Sequence, residues 1–497
     1  MCLVWGEPTS SPRENLRNLL NFLAVDGELG FLESCHRDKR EKIGKACLWL
    51  SSRSPPAESA DLPVILAVSE CWKKIDPAEI ADDFLLIKNV GMNVVRIFLL
   101  WEDFQPEYGT VSAESLEKLV RVADIAEQQN LLLDVTFFTG HMSGPNWVPA
   151  WLLNGGPMKR PAYQVISGVN PGSGTPHVAD EGYENFFESE RVQQAQEVLL
   201  REVVTRLGRH AGVGIWNLGN EPDLLAVPST PTAAQRWVAR MTAVIRTSDP
   251  LHRPVTCGLH APSLLESNNL RPHEVFVPSD LLPVIHGYPM YAAAIARRPL
   301  DEAFVPFLCA LTAAMCRASL GADKDPALVA ATLAEEFGGC TLPEPDQPST
   351  HWEFATFGSV RRQFMASQQD FANFLELVLP LLVRVGARGA MLWCFADYAQ
   401  DLYGVPPLDQ QRHERHFGLV NADGTLKPHA EVIRRFAATR PLRRMDPATW
   451  EGQPDLSGML SPYGGSLTRW YDEVAEGDRF IQLKALYERF CGAVGHS

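Results

Sequence analysis

The spacing of hydrophobic and polar residues alternates along the chain between short strand-like runs and longer helical patterns. From residue 61 to about residue 440, short runs rich in β-branched side chains are separated by amphipathic stretches. The runs begin near residues 62, 93, 131, 213, 254, 281, 327 and 389. Eight such strands with helical sequence between them predict an α/β protein with a closed (β/α)8 barrel, also called a TIM barrel.

Helix start and stop signals support this assignment. Asp76 and Pro77 form a helix-opening pair and Gly91 a stop, so we predict a helix between them. The other predicted barrel helices cover residues 113–129, 190–210, 232–247, 301–318 and 366–385. The predicted strands cover residues 62–68, 93–99, 131–138, 213–217, 254–258, 281–288, 327–334 and 389–395. A doubly wound open sheet would carry a glycine-rich phosphate turn after an early strand, and the sequence has neither a GxGxxG nor a P-loop motif.

The pattern divides the chain into three parts. Residues 1–60 are predicted to be an N-terminal extension that ends in a Ser/Pro-rich linker over residues 51–59. Residues 61–440 form the predicted barrel. Residues 441–497, with a helical pattern over residues 481–490, are predicted to be a segment that packs on the barrel. A long irregular stretch after the third predicted strand, up to about residue 182, is of a length that is usually functional.

Composition and charge exclude several classes of partner. Of the 497 residues, 45% are hydrophobic and 21% are charged, which is typical of a globular protein. The formal net charge of −15 would repel phosphates and acidic polymers, so nucleic acid is not an expected partner. Neutral substrates such as sugars are compatible with this balance. The sequence does not indicate an oligomeric state.

Cysteine usage and the start of the chain bear on location. The ten cysteines are scattered without a CxxC pair, so we expect reduced, mostly buried thiols and no disulfide framework. The first residues lack the basic head, apolar run and cleavage site of a secretion signal, and no later stretch resembles a membrane span. These features predict a cytoplasmic protein that does not associate with membranes.

Polar residues follow the predicted strands at the end where such barrels carry their active sites. They are Arg96, His141, Asn220, Glu221, His286, Tyr288, Glu336 and Trp393. Two carboxyl groups about 5 to 5.5 Å apart can cleave a glycosidic bond with retention, one as an acid and one as a nucleophile. Glu221 and Glu336 end the fourth and seventh predicted strands, so they are the candidate pair. No HExxH or other paired metal-ligand spacing occurs, and we predict neither a metal nor a cofactor.

Local sequence assigns a role to each glutamate. Pro222 biases Glu221 away from the helical region, and we expect a general acid/base with a raised pKa at this position. Strand seven offers Glu335 and Glu336, whose side chains should point to opposite faces. Small residues share the face of Glu336, so we predict that Glu336 points into the barrel as the nucleophile and that Glu335 does not. Arg96 and Tyr288 are expected to orient Glu336.

Five segments in this order resemble one known group of enzymes. They are GMNVVRIFLLWEDFQPEYG, WNLGNEP, HGY, EEFG and LWCFADY, followed by HFGLVNADGTLKPHA at residues 416–430. Over about residues 72–430 the chain resembles the retaining (β/α)8 glycoside hydrolases of clan A, most closely the cellulase-like and mannanase-like members of family 5. The resemblance implies a retaining β-glycosidase that acts by double displacement on an oligosaccharide or glycoside.

The same resemblance implies roles for the remaining site residues. Arg96 would support the nucleophile, His141 would line the sugar site, and Asn220 would contact the substrate 2-hydroxyl. His286 and Tyr288 would flank the nucleophile, and Trp393 would be the sugar platform of the −1 subsite. Each histidine could instead be a buried structural residue and Arg96 a structural ion pair.

Departures from the family pattern bear on substrate. The predicted first strand lacks the usual aromatic sugar contact, which Glu70 or Trp72 could supply. The long third loop could close one end of the cleft, which favours exo action on short β-mannosides or β-glucosides. An endo-β-1,4-glycanase, such as a mannanase or cellulase, is the alternative enzyme. A non-catalytic carbohydrate-binding barrel is the alternative outside enzymes, and the presence of both glutamates argues against it.

Overall fold

The computed structural model describes residues 2–4, 72, 75–156, 163–170, 175–265, 269–321, 329, 331–439 and 476–495. Its strands are β1 Cys2–Val4, β2 Val94–Leu100, β3 Leu132–Thr139, β4 Asn146–Trp147, β5 Val165–Val169, β6 Pro176–Ala179, β7 Val213–Asn220, β8 Val255–Gly258, β9 Val284–Gly287, β10 Leu333–Gly338, β11 Thr350–Thr356, β12 Ser359–Met365 and β13 Gly389–Trp393. Its helices are α1 Pro77–Asn89, α2 Trp101–Phe104, α3 Ala113–Gln128, α4 Glu190–Leu207, α5 Pro222–Leu225, α6 Pro231–Ser248, α7 Ala261–Leu265, α8 Pro272–Phe276, α9 Phe304–Ala318, α10 Gln368–Arg384, α11 Pro428–Thr439 and α12 Glu476–Ala493.

A closed ring of strands forms the centre of the fold. The main sheet has eight strands in the order β8-β7-β3-β2-β1-β13-β10-β9. Between β8 and β9, a parallel bridge joins His260 to His286, and the backbone N–H of His286 donates to the Leu259 carbonyl at 2.7 Å. The two ends of the sheet therefore meet, and the chain is an α/β protein with a (β/α)8 barrel, as the sequence predicts.

The strand beside β2 differs from the expected one. The predicted first strand, residues 62–68, lies outside the described residues. The position between β2 and β13, where the predicted first strand was expected, is occupied by β1, which pairs antiparallel with both strands. The other pairs in the main sheet are parallel. The predicted extension over residues 1–60 and its linker lie outside the described residues apart from β1.

Side-chain caps explain where the barrel helices begin. Asp76 accepts a hydrogen bond from the Ala78 N–H at 2.8 Å at the start of α1. Ser112, Thr230 and Ser367 cap α3, α6 and α10 in the same way, each bonding to an N–H in the first turn. These hydrogen bonds satisfy donors that a helix start leaves unpaired. The predicted barrel helices are confirmed, with ends shifted by a few residues.

The seventh barrel strand lies later in the chain than predicted. The predicted strand covered residues 327–334, whereas β10 is Leu333–Gly338; residues 322–328 and 330 are not among the described ones. The pairing of β10 with β9 and with β13 shifts register after Ala334. Such a bulge bends the strand and breaks the strict alternation of side chains between its two faces. The glutamates that follow Ala334 are therefore not separated by simple alternation.

Two additions extend the barrel rim. The long loop after β3 contains β4, β5 and β6, which form a separate three-stranded sheet. Between β10 and α10, β11 and β12 form an antiparallel hairpin that the sequence analysis did not predict. Both follow carboxyl ends of barrel strands, which is where (β/α)8 barrels carry their active sites.

Large apolar side chains fill the space between the barrel and its helices. Trp216 and Trp237 are fully buried. On another side, Tyr487 of α12 packs against Phe304 and Phe307 of α9.

The six cysteines whose side chains are described are all free, and five of them are buried. Among the described helices, none has the length and apolar content that crossing a membrane would need.

Candidate active site

Arg96 on β2 connects two of the predicted site residues. Its Nη1 donates to Oε2 of Glu336 at 2.8 Å, and its Nη2 donates to Oδ1 of Asn220 at 3.0 Å. Its Nε donates to the Thr136 hydroxyl on β3 at 3.0 Å. The guanidinium is buried, so these hydrogen bonds are shielded from water. Arg96 therefore holds the carboxylate of Glu336 and the amide of Asn220 in one arrangement.

Both carboxylate oxygens of Glu336 accept hydrogen bonds. Oε1 accepts from the Tyr288 hydroxyl at 2.7 Å, while Oε2 accepts from Arg96. Burial raises the pKa of the Tyr288 phenol well above its ordinary value, and the charge of Glu336 raises it further. Tyr288 consequently keeps its proton and acts as a donor. The two donors fix the orientation of the Glu336 side chain.

Glu221 sits on a tight turn at the end of β7. Its backbone has φ 44° and ψ 56°, in the left-handed region that non-glycine residues rarely adopt. Pro222 begins α5 directly afterwards, in agreement with the expectation that it keeps Glu221 out of the right-handed helical region. The Glu221 N–H donates to the Gly258 carbonyl at 2.9 Å, which ties the turn to β8. A strained turn of this kind is a frequent feature of functional sites.

The electrostatic environment of Glu221 contradicts the expectation of a raised pKa. Burial alone would raise it, but the charge of His260, the hydrogen bond from His286 and the charge of His141 lower the pKa of Glu221 to about 2. His286 Nδ1 lies 3.0 Å from Oε1 of Glu221, and His260 Nδ1 lies 3.9 Å from Oε2. The expectation of a raised pKa was wrong because His141 and His286, although predicted as site residues, were not expected to contact Glu221, and His260 was not predicted at all.

Glu335 also points into the barrel, contrary to the prediction from alternation. Its Oε2 lies 3.3 Å from Nε2 of His286 and 3.8 Å from Nη2 of Arg96. The bulge after Ala334 explains this, because the register shift turns both neighbouring glutamates toward the interior. The prediction that Glu336 faces the barrel interior agrees with its contacts to Arg96 and Tyr288. The prediction that Glu335 does not point into the barrel was wrong.

The two remaining predicted residues flank this centre. The His141 ring nitrogen Nδ1 lies 2.8 Å from Oδ1 of Asn146, and burial lowers the pKa of His141. The Asn220 amide donates to the His141 carbonyl at 2.8 Å. Trp393, at the end of β13, is partly buried and packs edge-to-face with Phe98, with ring centroids 5.6 Å apart. One face of the site is therefore an indole ring.

A cleft of about 650 Å³ opens at this end of the barrel. Seven of the eight predicted site residues line it, and Arg96 lies beneath them. The seven are His141, Asn220, Glu221, His286, Tyr288, Glu336 and Trp393. The structure thus brings together residues that are scattered over about 300 positions of the sequence.

Several other cleft residues were missed by the sequence analysis. His260 follows β8 by two positions, and its Nε2 lies 2.7 Å from Oδ2 of Asp223. The rule that chemistry lies just beyond strand ends could have found His260. Arg361 enters from the unpredicted hairpin, and Glu414 from the segment after β13, so no strand-end signal could have found them.

The same centre offers atoms that could ligate a metal. One atom each from Glu221, His286 and Glu336 can be chosen so that all lie within 4.8 Å of one another. Arg96 contacts one of these carboxylates directly, and the charges of Glu221 and Asp223 raise the pKa of nearby His260 against the effect of burial. Positive charge is therefore already supplied to the carboxylates by the protein, which makes a divalent cation less favourable there.

Comparisons with known proteins give a match in structure but not in sequence. The chain matches no family model, and a comparison with curated proteins finds no similar sequence. Among solved structures, an exo-beta-1,4-mannosidase from Opitutaceae bacterium strain TAV5 is similar at TM-score 0.55 and 23% identity. The match covers 74% of this chain and 57% of that protein, so this chain spans little more than half of its length.

Two further solved structures are similar over most of their length. A GH5_18 variant from Streptomyces cattleya in complex with Manβ1-4GlcNAc matches at TM-score 0.58 and 18% identity, over 86% of this chain and 89% of that one. A GH5_18 variant from Bifidobacterium longum subsp. longum ATCC 55813, in complex with the same ligand, matches at TM-score 0.56 and 17% identity, over 75% of each chain. The chain therefore has the barrel fold of these proteins.

Proposed function

We propose that this protein is a retaining β-glycosidase, with Glu336 as the nucleophile and Glu221 as the general acid/base. The observation that carries the proposal is the pair of carboxylates at the mouth of the barrel. Oxygen atoms of Glu221 and Glu336 lie within 4.8 Å of each other, on the ends of β7 and β10. Double displacement needs carboxyl groups about 5 to 5.5 Å apart, whereas inversion needs about 6.5 to 9.5 Å.

Glu336 has the surroundings of a nucleophile. Arg96 and Tyr288 each bond to one of its oxygens, which aims the carboxylate and still leaves lone pairs for attack on an anomeric carbon. In the first step the Glu336 oxygen forms a bond to that carbon while the glycosidic oxygen leaves. In the second step water replaces Glu336, and the anomeric configuration is restored.

Glu221 must give a proton to the leaving oxygen in the first step and take one from water in the second. His260 and His286 hold protons beside it in the ligand-free state, where the pKa of Glu221 is about 2. A bound neutral sugar displaces water from the carboxylate and favours its protonated form. The His286 imidazolium, whose Nδ1 lies 3.0 Å from Oε1 of Glu221, then gives its proton to Glu221, and Glu221 can act first as the acid and then as the base.

The other residues are proposed to bind the sugar. The Trp393 indole would stack on the ring in the −1 subsite, and the Asn220 amide, held by Arg96, would face the 2-hydroxyl. His141 lines the same cleft and would contact a further hydroxyl. The Trp72 indole, suggested above as a first-strand sugar contact, instead donates to the Phe98 carbonyl at 2.7 Å and packs on Phe104.

Exo action on β-mannosides is the specificity we propose. Tyr163 from the third loop, Arg361 from the β11–β12 hairpin and Phe480 from α12 all line the cleft and would limit its length. Its volume of about 650 Å³ suits a small ligand. The similar proteins named above are an exo-mannosidase and two bound to Manβ1-4GlcNAc, which favours mannosides over glucosides.

Trapping of the covalent intermediate tests the proposal. A 2-deoxy-2-fluoro-β-mannosyl fluoride should inactivate the protein, and peptide mapping should find the label on Glu336. A label on Glu335 would overturn the assignment of the nucleophile. Binding of Manβ1-4GlcNAc without turnover would indicate a non-catalytic barrel, and faster cleavage of mannan than of aryl β-mannosides would indicate endo action.

A further inference from the structure

Beneath the candidate active site, the barrel interior contains a second pair of carboxyl groups. Asp134 on β3 is 0% exposed and Glu335 on β10 is 1% exposed. Neither is among the residues that line the cleft. Two carboxyl groups in a dry interior are costly unless protons or cations compensate them. Their contacts indicate which of the two carboxyl groups is compensated by cations and which by a proton.

Glu335 is the member of the pair that contacts cations. Its Oε2 lies 3.3 Å from Nε2 of His286 and 3.8 Å from Nη2 of Arg96. Burial would raise the pKa of Glu335, but the charge of Arg96 and the hydrogen bond from His286 outweigh it and hold the pKa below its ordinary value. Glu335 is therefore an anion.

Asp134 has the opposite environment. Within the described part of the chain, no hydrogen-bond donor reaches either of its carboxylate oxygens. Its carboxyl group interacts with that of Glu335, and a hydrogen bond between two carboxyl groups requires that one of them carries a proton. Burial, followed by the charge of Glu335, outweighs the opposing charge of Arg96 and raises the pKa of Asp134 well above its ordinary value. Asp134 is therefore the proton carrier.

His286 connects this buried pair to the proposed reaction. Its Nε2 faces Glu335, while its Nδ1 lies 3.0 Å from Glu221 and 3.8 Å from Glu336. Because both ring nitrogens face carboxylates, the doubly protonated imidazolium is favoured. Arg96 is shared in the same way, between Glu335 below and Glu336 above.

We propose that Asp134 remains protonated and donates a hydrogen bond to Glu335, and that the single negative charge on Glu335 positions His286 and Arg96 beneath the two reacting glutamates. Glu335 is thus a positioning residue, since it acts through His286 and Arg96 and not on the substrate. This role deepens the proposed function and rests on it, because it assigns the catalytic pair to Glu221 and Glu336.

The charge balance around His286 predicts what the loss of Glu335 would do. The carboxylates of Glu221, Glu335 and Glu336 face the ring, as do the cationic groups of Arg96 and His260. Burial lowers the pKa of an imidazole, but these carboxylates outweigh burial and raise the pKa of His286 to about 9. Glu335→Gln removes one carboxylate and should therefore lower the pKa of His286.

The test compares Glu335→Gln with Asp134→Asn, the matched substitution on the other member of the pair. The His286 ring is followed by NMR in the ligand-free protein, with His286→Asn to assign its signal. Glu335→Gln should move its titration to lower pH by about one unit or more. Asp134→Asn should leave the titration in place, because the amide replaces the hydroxyl as a donor to Glu335 without changing charge. An equal shift in both variants, or none in Glu335→Gln, would overturn the proposal.

Two further measurements keep the proposal testable if Glu335→Gln does not fold. The infrared spectrum of the wild type at neutral pH should contain the carbonyl band of a protonated carboxyl group that is missing from Asp134→Asn; an identical spectrum would refute the protonated state. Glu335→Asp keeps the charge and should restore the wild-type pH profile of kcat/KM in part. The NMR and infrared results do not depend on turnover. Failure of fluoro-sugar trapping in the wild type would therefore refute the proposed function. The proton-sharing pair of Asp134 and Glu335 would still be tested by the NMR and infrared measurements.

Discussion

Arg96 reaches Glu336 at 2.8 Å through one guanidinium nitrogen and Asn220 at 3.0 Å through another. One rigid planar group thus sets the distance between the proposed nucleophile and the amide proposed to bind the 2-hydroxyl. A lysine could keep the charge at this position but could not make both hydrogen bonds in fixed geometry.

Arg96→Lys tests whether geometry or charge is required. We expect kcat on an aryl β-mannoside to fall by about 100-fold or more, since the nucleophile is no longer held in one orientation. Circular dichroism should remain that of the wild type. A loss of less than about threefold would mean that positive charge alone is sufficient.

Glu221→Ala separates the two chemical steps. An activated aryl leaving group needs no proton, so its release should slow far less than that of a poor leaving group such as a sugar. Azide should partly restore turnover of the activated substrate and yield a β-glycosyl azide. Equal losses on both substrates, with no effect of azide, would rule out an acid/base role for Glu221.

His260→Asn tests the origin of the low pKa of Glu221. Burial raises that pKa, and the charge of His260 is the largest opposing effect. Removal of the charge should raise the pKa of Glu221 by about half a unit to one unit, which a titration of the ligand-free protein followed by NMR of the Glu221 carboxyl carbon would measure. Asp223→Asn should act in the same direction but more weakly, because it only reduces the protonated fraction of His260. A shift to lower pH in either variant would contradict this electrostatic account.

The pH dependence of stability reports on His286. Its pKa in the folded protein is raised to about 9, above the ordinary value of 6.5, so the imidazolium stabilises the fold. This contribution is complete below about pH 6.5 and is lost as the pH rises through about 9. The free energy of unfolding should fall by on the order of 3 kcal/mol over this range. Urea unfolding of His286→Asn should show a smaller fall, and parallel curves for the two proteins would refute the assignment.

Trp393→Ala tests the proposed sugar platform. Loss of the indole should reduce kcat/KM by about 10-fold to 100-fold, because stacking and apolar contact with the sugar ring disappear. Trp393→Phe keeps an aromatic face and should recover part of the loss. Trp237→Phe is a control that changes a tryptophan buried between helices, away from the cleft, and should alter stability more than kcat/KM.

The sequence was sufficient to predict the structural features that depend on the local pattern of residues. The Asp76 cap predicted a helix start because its side chain bonds to an N–H group only two residues away. Residues at strand ends, including Asn220 and Tyr288, could be grouped because a parallel barrel brings all such ends to one rim. The eight predicted site residues therefore meet at one place.

Features that depend on pairing between distant segments could not be predicted in this way. The bulge in β10 arises from its register against β9 and β13, so alternation along one strand misplaced Glu335. The pKa of Glu221 depends on His260 and His286, which reach it only when the ring of strands closes. The β11–β12 hairpin that brings Arg361 to the cleft carries no chemical motif of its own.

The position of α12 has a consequence for synthesis of the protein. Phe480 of this helix lines the cleft, and Tyr487 anchors the helix to α9, although α12 follows the last barrel strand by more than 80 residues. A nascent chain whose barrel has already emerged from the ribosome still lacks this wall of its active site. Substrate binding would therefore mature only after α12 has docked, and a truncation just before residue 476 should leave the pocket incomplete and expose the apolar face of α9 that Tyr487 covers.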